Sequence, residues 1–300
     1  MWKKHAFGSY FCTMLNIGLI GNTKNLEPHV KRIQKNPKIN IIGKSSVGIN
    51  PQLNSFHFSI PEFNRIELIE RADIILMDNS SLLPFKLLCD IVKKAKHIFT
   101  TEYLKLTIEE CTQLVKLANE SGSVVQVSNP YYFLPAVQWI NKHMTMPVYL
   151  DISYFGPDTN EDTLFRLLMM LLGITGISPK KIGAITFRSK ETDSNFQNVR
   201  LEFNDASVVN LNLGLFEPLH EFKVEAYSPG HFVTLNFNTK TYRSNNNPIE
   251  LSSYSSTNEF DTFINTIINK SHTKSSIEDY LIALYAVQKI NKKINQLTVQ

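Results

Sequence analysis

Residues 97–135, HIFTTEYLKLTIEECTQLVKLANESGSVVQVSNPYYFLP, constrain the fold more than any other stretch of this chain. His97–Thr101 reads as a short strand. Thr107, with Glu110 three residues on, forms a capping box: the hydroxyl accepts an orphan amide of the first helical turn and the carboxylate reaches back. Cys111, Leu114, Val115 and Ala118 then recur at helical spacing, Gly122 ends the helix, and the apolar run Val124–Val127 follows at once. Strand, helix and strand within about thirty residues make one βαβ unit, and such a unit requires a parallel sheet.

The preceding residues alternate in the same way. Leu15–Gly21 is a buried strand ending in glycine, Glu27–Lys35 a helix with Val30 and Ile33 inward, and Ile39–Gly43 a second strand. Ile66–Arg71 and Leu83–Lys94 read as helices on either side of the strand Asp73–Asp78. The expected fold class is therefore α/β, a Rossmann-type doubly wound parallel sheet, through residue 127.

After Pro135 and a helix at Ala136–Lys142 the pattern changes. Short strands are expected at Val148–Tyr154, Ala184–Arg188, Val199–Phe203, Ser207–Leu213, Phe222–Tyr227 and Phe232–Phe237, with turn signals at Asn204-Asp205 and Pro229-Gly230. One helix, Asp162–Gly173, lies between the first two. This is an α+β domain on a mainly antiparallel open sheet, and alternation through Val199–Gly214 leaves one sheet face exposed. Asn245–Asn247 with Pro248 reads as a turn-rich break before helices at Ser256–Asn269 and Ser276–Ile294. The domain plan is an extension at 1–13 (Met14 being an alternative start), the Rossmann-type domain at 14–128, the α+β domain at 129–243 and C-terminal helices packing back on the domains at 244–300.

Composition narrows the function classes. A net charge of +4 is mild, and the lysine pairs 93–94, 180–181 and 292–293 lie far apart, so no basic stripe suits nucleic acid. No segment is apolar enough to span a membrane. Of the three cysteines, Cys89 and Cys111 fall on apolar helix faces. With Cys12 they lack metal-ligand spacing, and reduced thiols suit a cytoplasmic protein. Isolated histidines likewise form no metal set.

Across roughly residues 15–295 the arrangement resembles the Gfo/Idh/MocA oxidoreductases (glucose–fructose oxidoreductase, inositol dehydrogenase and relatives), more by pattern than by motif. The family carries strand–Glu-Lys-Pro–helix–strand and then Arg-Phe-x-Pro in the stretch described first. Here Glu102 remains, Tyr103-Leu104 replaces Lys-Pro, and Tyr132 replaces the Arg. The glycines of the family's Gly-x-Gly-x-x-Gly turn correspond to Gly21, Thr23 and Leu26; a Thr at the second puts a side chain where phosphate oxygen would sit, and a Leu at the third pushes helix and strand apart. The acid that ends strand two in the family is replaced by Lys44-Ser45-Ser46. Ser46 with Lys44 would accept the additional phosphate of NADP, or the site is gone; both readings stay open. The resemblance implies NAD or NADP on Gly21, Asn22, Thr23, Lys24, Ser46, Asn79, Ser80 and Glu102, or loss of that cofactor.

Hydride transfer needs a positioned nicotinamide and a base for the hydroxyl proton. Anchored on Leu171-Leu172-Gly173, the family's His-x-x-Asp helix places Thr163 at the His and Arg166 at the Asp. With Tyr103 in place of the Lys, the residues left for catalysis are Tyr103, Thr163 and Arg166. Three functions follow from the resemblance. One is a degenerate homologue binding a sugar-like or sugar-nucleotide ligand without turnover. Another is an active NAD(P)-dependent sugar dehydrogenase using Tyr103 with Lys105 or Arg166. The last is a structural subunit forming a homo- or hetero-oligomer through the exposed C-terminal sheet, for which fold alone is no guide to activity.

Overall fold

The computed structural model describes residues 14–46, 60–78, 82–144, 147–157, 159–189, 195–216, 219–254 and 258–298. The chain divides after Val127 into two compact units.

The first unit holds five parallel strands: β1 (Leu15–Ile20), β2 (Ile39–Ser45), β3 (Ile74–Met77), β4 (His97–Thr100) and β5 (Val125–Val127). Their order is β2-β1-β3-β4-β5, so the winding reverses between β1 and β3. Ile74, Ile75, Leu76 and Met77 are all fully buried. Successive strand residues point to opposite faces, so both faces of this sheet are covered, as parallel sheets require. The helices between the strands are α1 (Thr23–Ile33), α2 (Arg65–Arg71), α3 (Phe85–Lys93) and α4 (Ile108–Ser121).

The capping box stands as expected. Thr107 Oγ1 accepts the Glu110 N–H at 3.1 Å, and Glu110 Oε2 accepts the Thr107 N–H at 2.9 Å. Gly122 closes α4 in the left-handed conformation, φ 71°. Helix α1 begins four residues before the expected Glu27 and carries Pro28 inside it. Leu26, expected to push helix from strand, is instead a core residue at 1% exposure. Val30, Ile33 and Leu26 fall on one face of α1, and burying that face outweighs the amide bond that Pro28 cannot make.

The second unit starts with α5 (Pro135–His143) and β6 (Tyr149–Phe155), then α6 (Glu161–Thr175). A run of strands follows: β7 (Lys181–Arg188), β8 (Asn195–Glu202), β9 (Val208–Leu215), β10 (Glu221–Ser228), β11 (His231–Asn236), β12 (Thr241–Ser244) and β13 (Asn247–Pro248). They form one eight-stranded sheet, ordered β13-β12-β11-β10-β6-β9-β8-β7, antiparallel except for the β6–β9 pair. α7 (Glu259–Asn269) and α8 (Ile277–Thr298) complete the chain, and α8 packs on α6 and β7.

The turn expected at Asn245–Asn247 is present, and it joins two strands, β12 and β13, that were not expected. They form a hairpin through Asn245 and Asn246, whose φ values of 48° and 67° are those of a tight two-residue turn. These strands are short, polar and largely exposed, so no apolar alternation announces them. In the inner strands it does: Val199, Leu201, Leu211 and Leu213 are at most 1% exposed, while Asn198, Asn210 and Asn212 face the other way.

Candidate functional site

In a doubly wound sheet a nucleotide is received at the carboxyl ends of the strands, where the winding reverses. In this chain that place is the end of β1 and β3. Gly21 follows β1 at φ 142°, a backbone conformation reserved in practice for glycine. A Cβ there would also collide with the Asp78 carboxylate. Asp78 follows β3 directly and is 2% exposed. Its Oδ2 accepts the Asn22 backbone N–H at 2.8 Å and Asn25 Nδ2 at 3.0 Å. Its Oδ1 is buried and, among the described residues, has no hydrogen-bond partner. Burial pushes this carboxyl above its usual range, and the bonds from Asn22 and Asn25 oppose the shift.

Gly21 and Asn22 thus sit at the reversal point, as the resemblance implied, and Thr23 opens α1. The side chains of Thr23 and Lys24, and residues Asn79 and Ser80, lie outside the described residues. Residues 15–33 and 73–78 put the key group in reach, yet sequence reading missed Asp78. The available signal was an acid closing the apolar run DIILMD on the strand beside the glycine turn.

The end of β2 holds a further carboxylate. Glu62 Oε1 accepts the Ser46 N–H at 3.2 Å, and Oε2 lies 3.6 Å from Lys44 Nζ. A phosphate held by Lys44 and Ser46 would therefore meet Glu62 at close range. The hydroxyls of Ser45 and Ser46 are buried and, among the described residues, have no hydrogen-bond partner.

Glu102 is exposed beyond β4, with its N–H and C=O both bonded to Thr100 Oγ1 at 3.3 and 2.7 Å. Tyr103 is half-buried, Leu104 is 3% exposed, and Lys105 is exposed at φ 48°. Leu104 in the core leaves this loop anchored by an apolar contact where the family has its Pro.

In the second unit, Tyr132 is core. It is 2% exposed, its hydroxyl accepts Asn141 Nδ2 at 2.7 Å, its carbonyl accepts Gln138 Nε2 at 2.6 Å, and its N–H donates to Asn129 Oδ1 at 3.3 Å. Burial raises its phenol above the ordinary range. Its ring fits so tightly against Gly173 of α6 that a Cβ on residue 173 would collide with it. Asn129 is held in turn: its N–H donates to Glu259 Oε1 at 2.6 Å and its Nδ2 to Ser275 Oγ at 2.9 Å. Thr163 is 6% exposed, and both its N–H (3.0 Å) and its hydroxyl (3.2 Å) are directed to Asn160 Oδ1, which caps α6. Arg166 is half-buried in the stretch Thr163–Thr175 of α6, whose other residues are buried. The described residues contain no cluster of three or more His, Cys, Asp or Glu side chains that could hold a metal ion.

No family model matches the sequence, and comparison with curated proteins finds no sequence match. Solved structures do match. UDP-N-acetylglucosamine 3-dehydrogenase GnnA from Acidithiobacillus ferrooxidans superposes with a TM-score of 0.75 at 15% identity, over 94% of this chain and 98% of that one. The WlbA dehydrogenase from Bordetella pertussis, solved with NADH and UDP-GlcNAcA, gives 0.73 at 12% identity over 94% and 96%. Biliverdin reductase from Synechocystis sp. PCC 6803, solved with biliverdin and NADP+, gives 0.70 at 13% over 94% and 100%. The fold is that of the Gfo/Idh/MocA-type dehydrogenases. At these identities the likeness is one of architecture. Within it, the turn at Gly21 fits a dinucleotide poorly, because a carboxylate of the chain itself takes the N–H that follows the glycine. No helix among the described residues is long and apolar enough to cross a membrane.

Proposed function

We propose that this chain is a Gfo/Idh/MocA-type oxidoreductase homologue with a degenerate active site, binding a sugar or sugar-nucleotide ligand without turning it over. The observation that carries this reading is the employment of Tyr132 and Thr163. They stand where the family has an Arg and a His, and their polar atoms are spent inside the fold, on Asn141 and on the α6 cap. Neither is directed to a reacting atom, and an ordinary tyrosine, the residue at 103 in place of the family's Lys, is a poor base at neutral pH. The ligand class is suggested by GnnA, named as a UDP-N-acetylglucosamine dehydrogenase, and by WlbA, solved with UDP-GlcNAcA.

The test is a titration of the purified chain with NADH, NADPH and UDP-N-acetylglucosamine separately, following nicotinamide fluorescence and melting temperature. Stabilisation by the nucleotide sugar, with no reduction of NAD or NADP when either is incubated with the chain and the nucleotide sugar, supports the reading. Oxidation of NADH or reduction of NAD coupled to a sugar, abolished in Tyr103→Phe, would replace it with an active dehydrogenase.

A second reading, a subunit that assembles through its sheet, is favoured by the outward face of the second unit. Ile185 and Phe187 are 55% and 58% exposed there. Among the charges on that face, Arg200 pairs with Glu202 at 3.2 Å and Lys223 with Glu225 at 2.7 Å. Sedimentation of the chain and of Phe187→Asp distinguishes a self-associating face from a monomer.

A further inference from the structure

The first turn of a nucleotide-binding sheet receives an anion because backbone N–H groups and the positive end of the following helix converge on it. Here the convergence is intact. β1 ends at Ile20, Gly21 makes the reversed turn, and the eleven-residue helix α1 starts at Thr23. The Asn22 N–H in that turn already has its anion. Asp78, from the adjacent strand, accepts it at 2.8 Å and accepts Asn25 Nδ2 at 3.0 Å through the same oxygen. The second oxygen is wedged against Gly21, buried and, among the described residues, without a partner.

We propose that Asp78 is the resident anion of this turn and the residue that sets its specificity, excluding the pyrophosphate of a dinucleotide by charge and by occupancy, so that neutralising this one side chain opens the turn to phosphate-bearing ligands. The inference rests on the reading of a degenerate cofactor site and goes further by naming the group responsible. A pyrophosphate oxygen seeking the Asn22 N–H must displace Asp78 Oδ2 and then sit beside a carboxylate that is only 2% exposed; like charges at such range, away from solvent, oppose each other strongly. The missing glycine at Leu26 does not produce this effect, since Leu26 lies in the core.

The experiment compares the unaltered chain with Asp78→Asn, which keeps the shape and an acceptor for Asn22 while removing the charge. Asp78→Ser serves as a second variant if the first does not fold, with circular dichroism and melting temperature checking both. Probes are NADH, ADP-ribose, inorganic pyrophosphate and adenosine, titrated calorimetrically at pH 7.5. The expected result is a gain of at least tenfold in affinity for NADH, ADP-ribose and pyrophosphate, with no gain for adenosine. A folded variant whose affinities equal those of the unaltered chain would overturn the inference, as would an equal gain for adenosine, which would point to a general opening rather than to charge. The ratio of variant to unaltered chain reads this inference. The absolute NADH affinity of the unaltered chain reads the degenerate site: binding tighter than about 100 µM, roughly −5.5 kcal/mol, would overturn that reading whatever the ratio.

Discussion

The ring of Tyr132 and the Cα of Gly173 meet so closely that no side chain fits between them. Tyr132 cannot retreat, since its hydroxyl and its carbonyl are both hydrogen-bonded to α5 side chains. Gly173→Ala should therefore destabilise the chain. Overpacking costs roughly 1–3 kcal/mol, against a gain of about 1 kcal/mol from replacing glycine inside a helix. In a Tyr132→Leu background the same Gly173→Ala change should lose most of its penalty. A double-mutant cycle by urea denaturation reads the coupling, and equal penalties in both backgrounds would show that the contact carries no energy.

Restoring the family's residue at this position should fail. Tyr132→Arg places a guanidinium in a site only 2% exposed, with Asn129, Asn141 and Gln138 as its polar neighbours. A buried unpaired charge is among the most destabilising changes. The expected outcome is loss of soluble folded protein, or a melting temperature lowered by at least ten degrees, rather than gain of turnover.

Asp78 should leave a signature in the pH dependence of stability. Its folded-state pKa is raised by burial, so the folded state holds this proton more tightly than the unfolded chain does. The associated stability is fully present below the unfolded carboxyl value and is lost as pH rises through the folded value. The groups bonded to it, the Asn22 backbone N–H and the Asn25 side-chain amide, do not titrate; His29, one turn further along α1, packs on Phe99 and is shifted down by burial and Arg32. Asp78→Asn should thus melt higher than the unaltered chain at pH 8, by about 2–4 °C for each ~1 kcal/mol relieved. The two curves should converge as pH falls towards 4. A constant offset across that range would assign the effect to packing instead of charge.

The helical thiols should be silent. Cys111 is fully buried on α4 and its pKa is pushed up to about 12, while burial also raises Cys89. In a Cys12→Ser background at pH 8, neither should react with an aromatic disulfide reagent until denaturant is added. With its folded value raised, the Cys111 contribution to stability is complete below the ordinary thiol range and is lost as pH climbs towards 12. Rapid native labelling of either residue would mean that α3 or α4 opens locally.

The capping box offers a quantitative check on local structure. Thr107→Ala removes the acceptor for the Glu110 N–H and should cost roughly 0.5–2 kcal/mol, whereas Thr107→Asp should cost much less, because a carboxylate caps equally well. Chemical denaturation with a probe in the first unit measures both.

Much of the architecture could be read from residues alone, because it depends on signals that are local in the chain. The capping box at Thr107, the left-handed Gly122 and the uninterrupted apolar runs of β1, β3 and β4 each act over a few neighbours, and burial follows from them. The β12–β13 hairpin escaped because polar, exposed strands carry no apolar period. The start of α1 escaped because the pull of Leu26, Val30 and Ile33 into the core overrides a proline. The site divides along the same line. Sequence alone determined that Gly21 ends the first strand, that Glu102 follows the fourth, and that the residues at 103, 132, 163 and 166 differ from those of the family it resembles. Only the tertiary structure decided that Asp78, fifty-six residues beyond Asn22 in the chain, supplies the anion of the first turn, that Glu62 faces Lys44 and that Tyr132 belongs to Gly173. These pairings come from strand order and sheet register, and each joins residues that no local pattern connects.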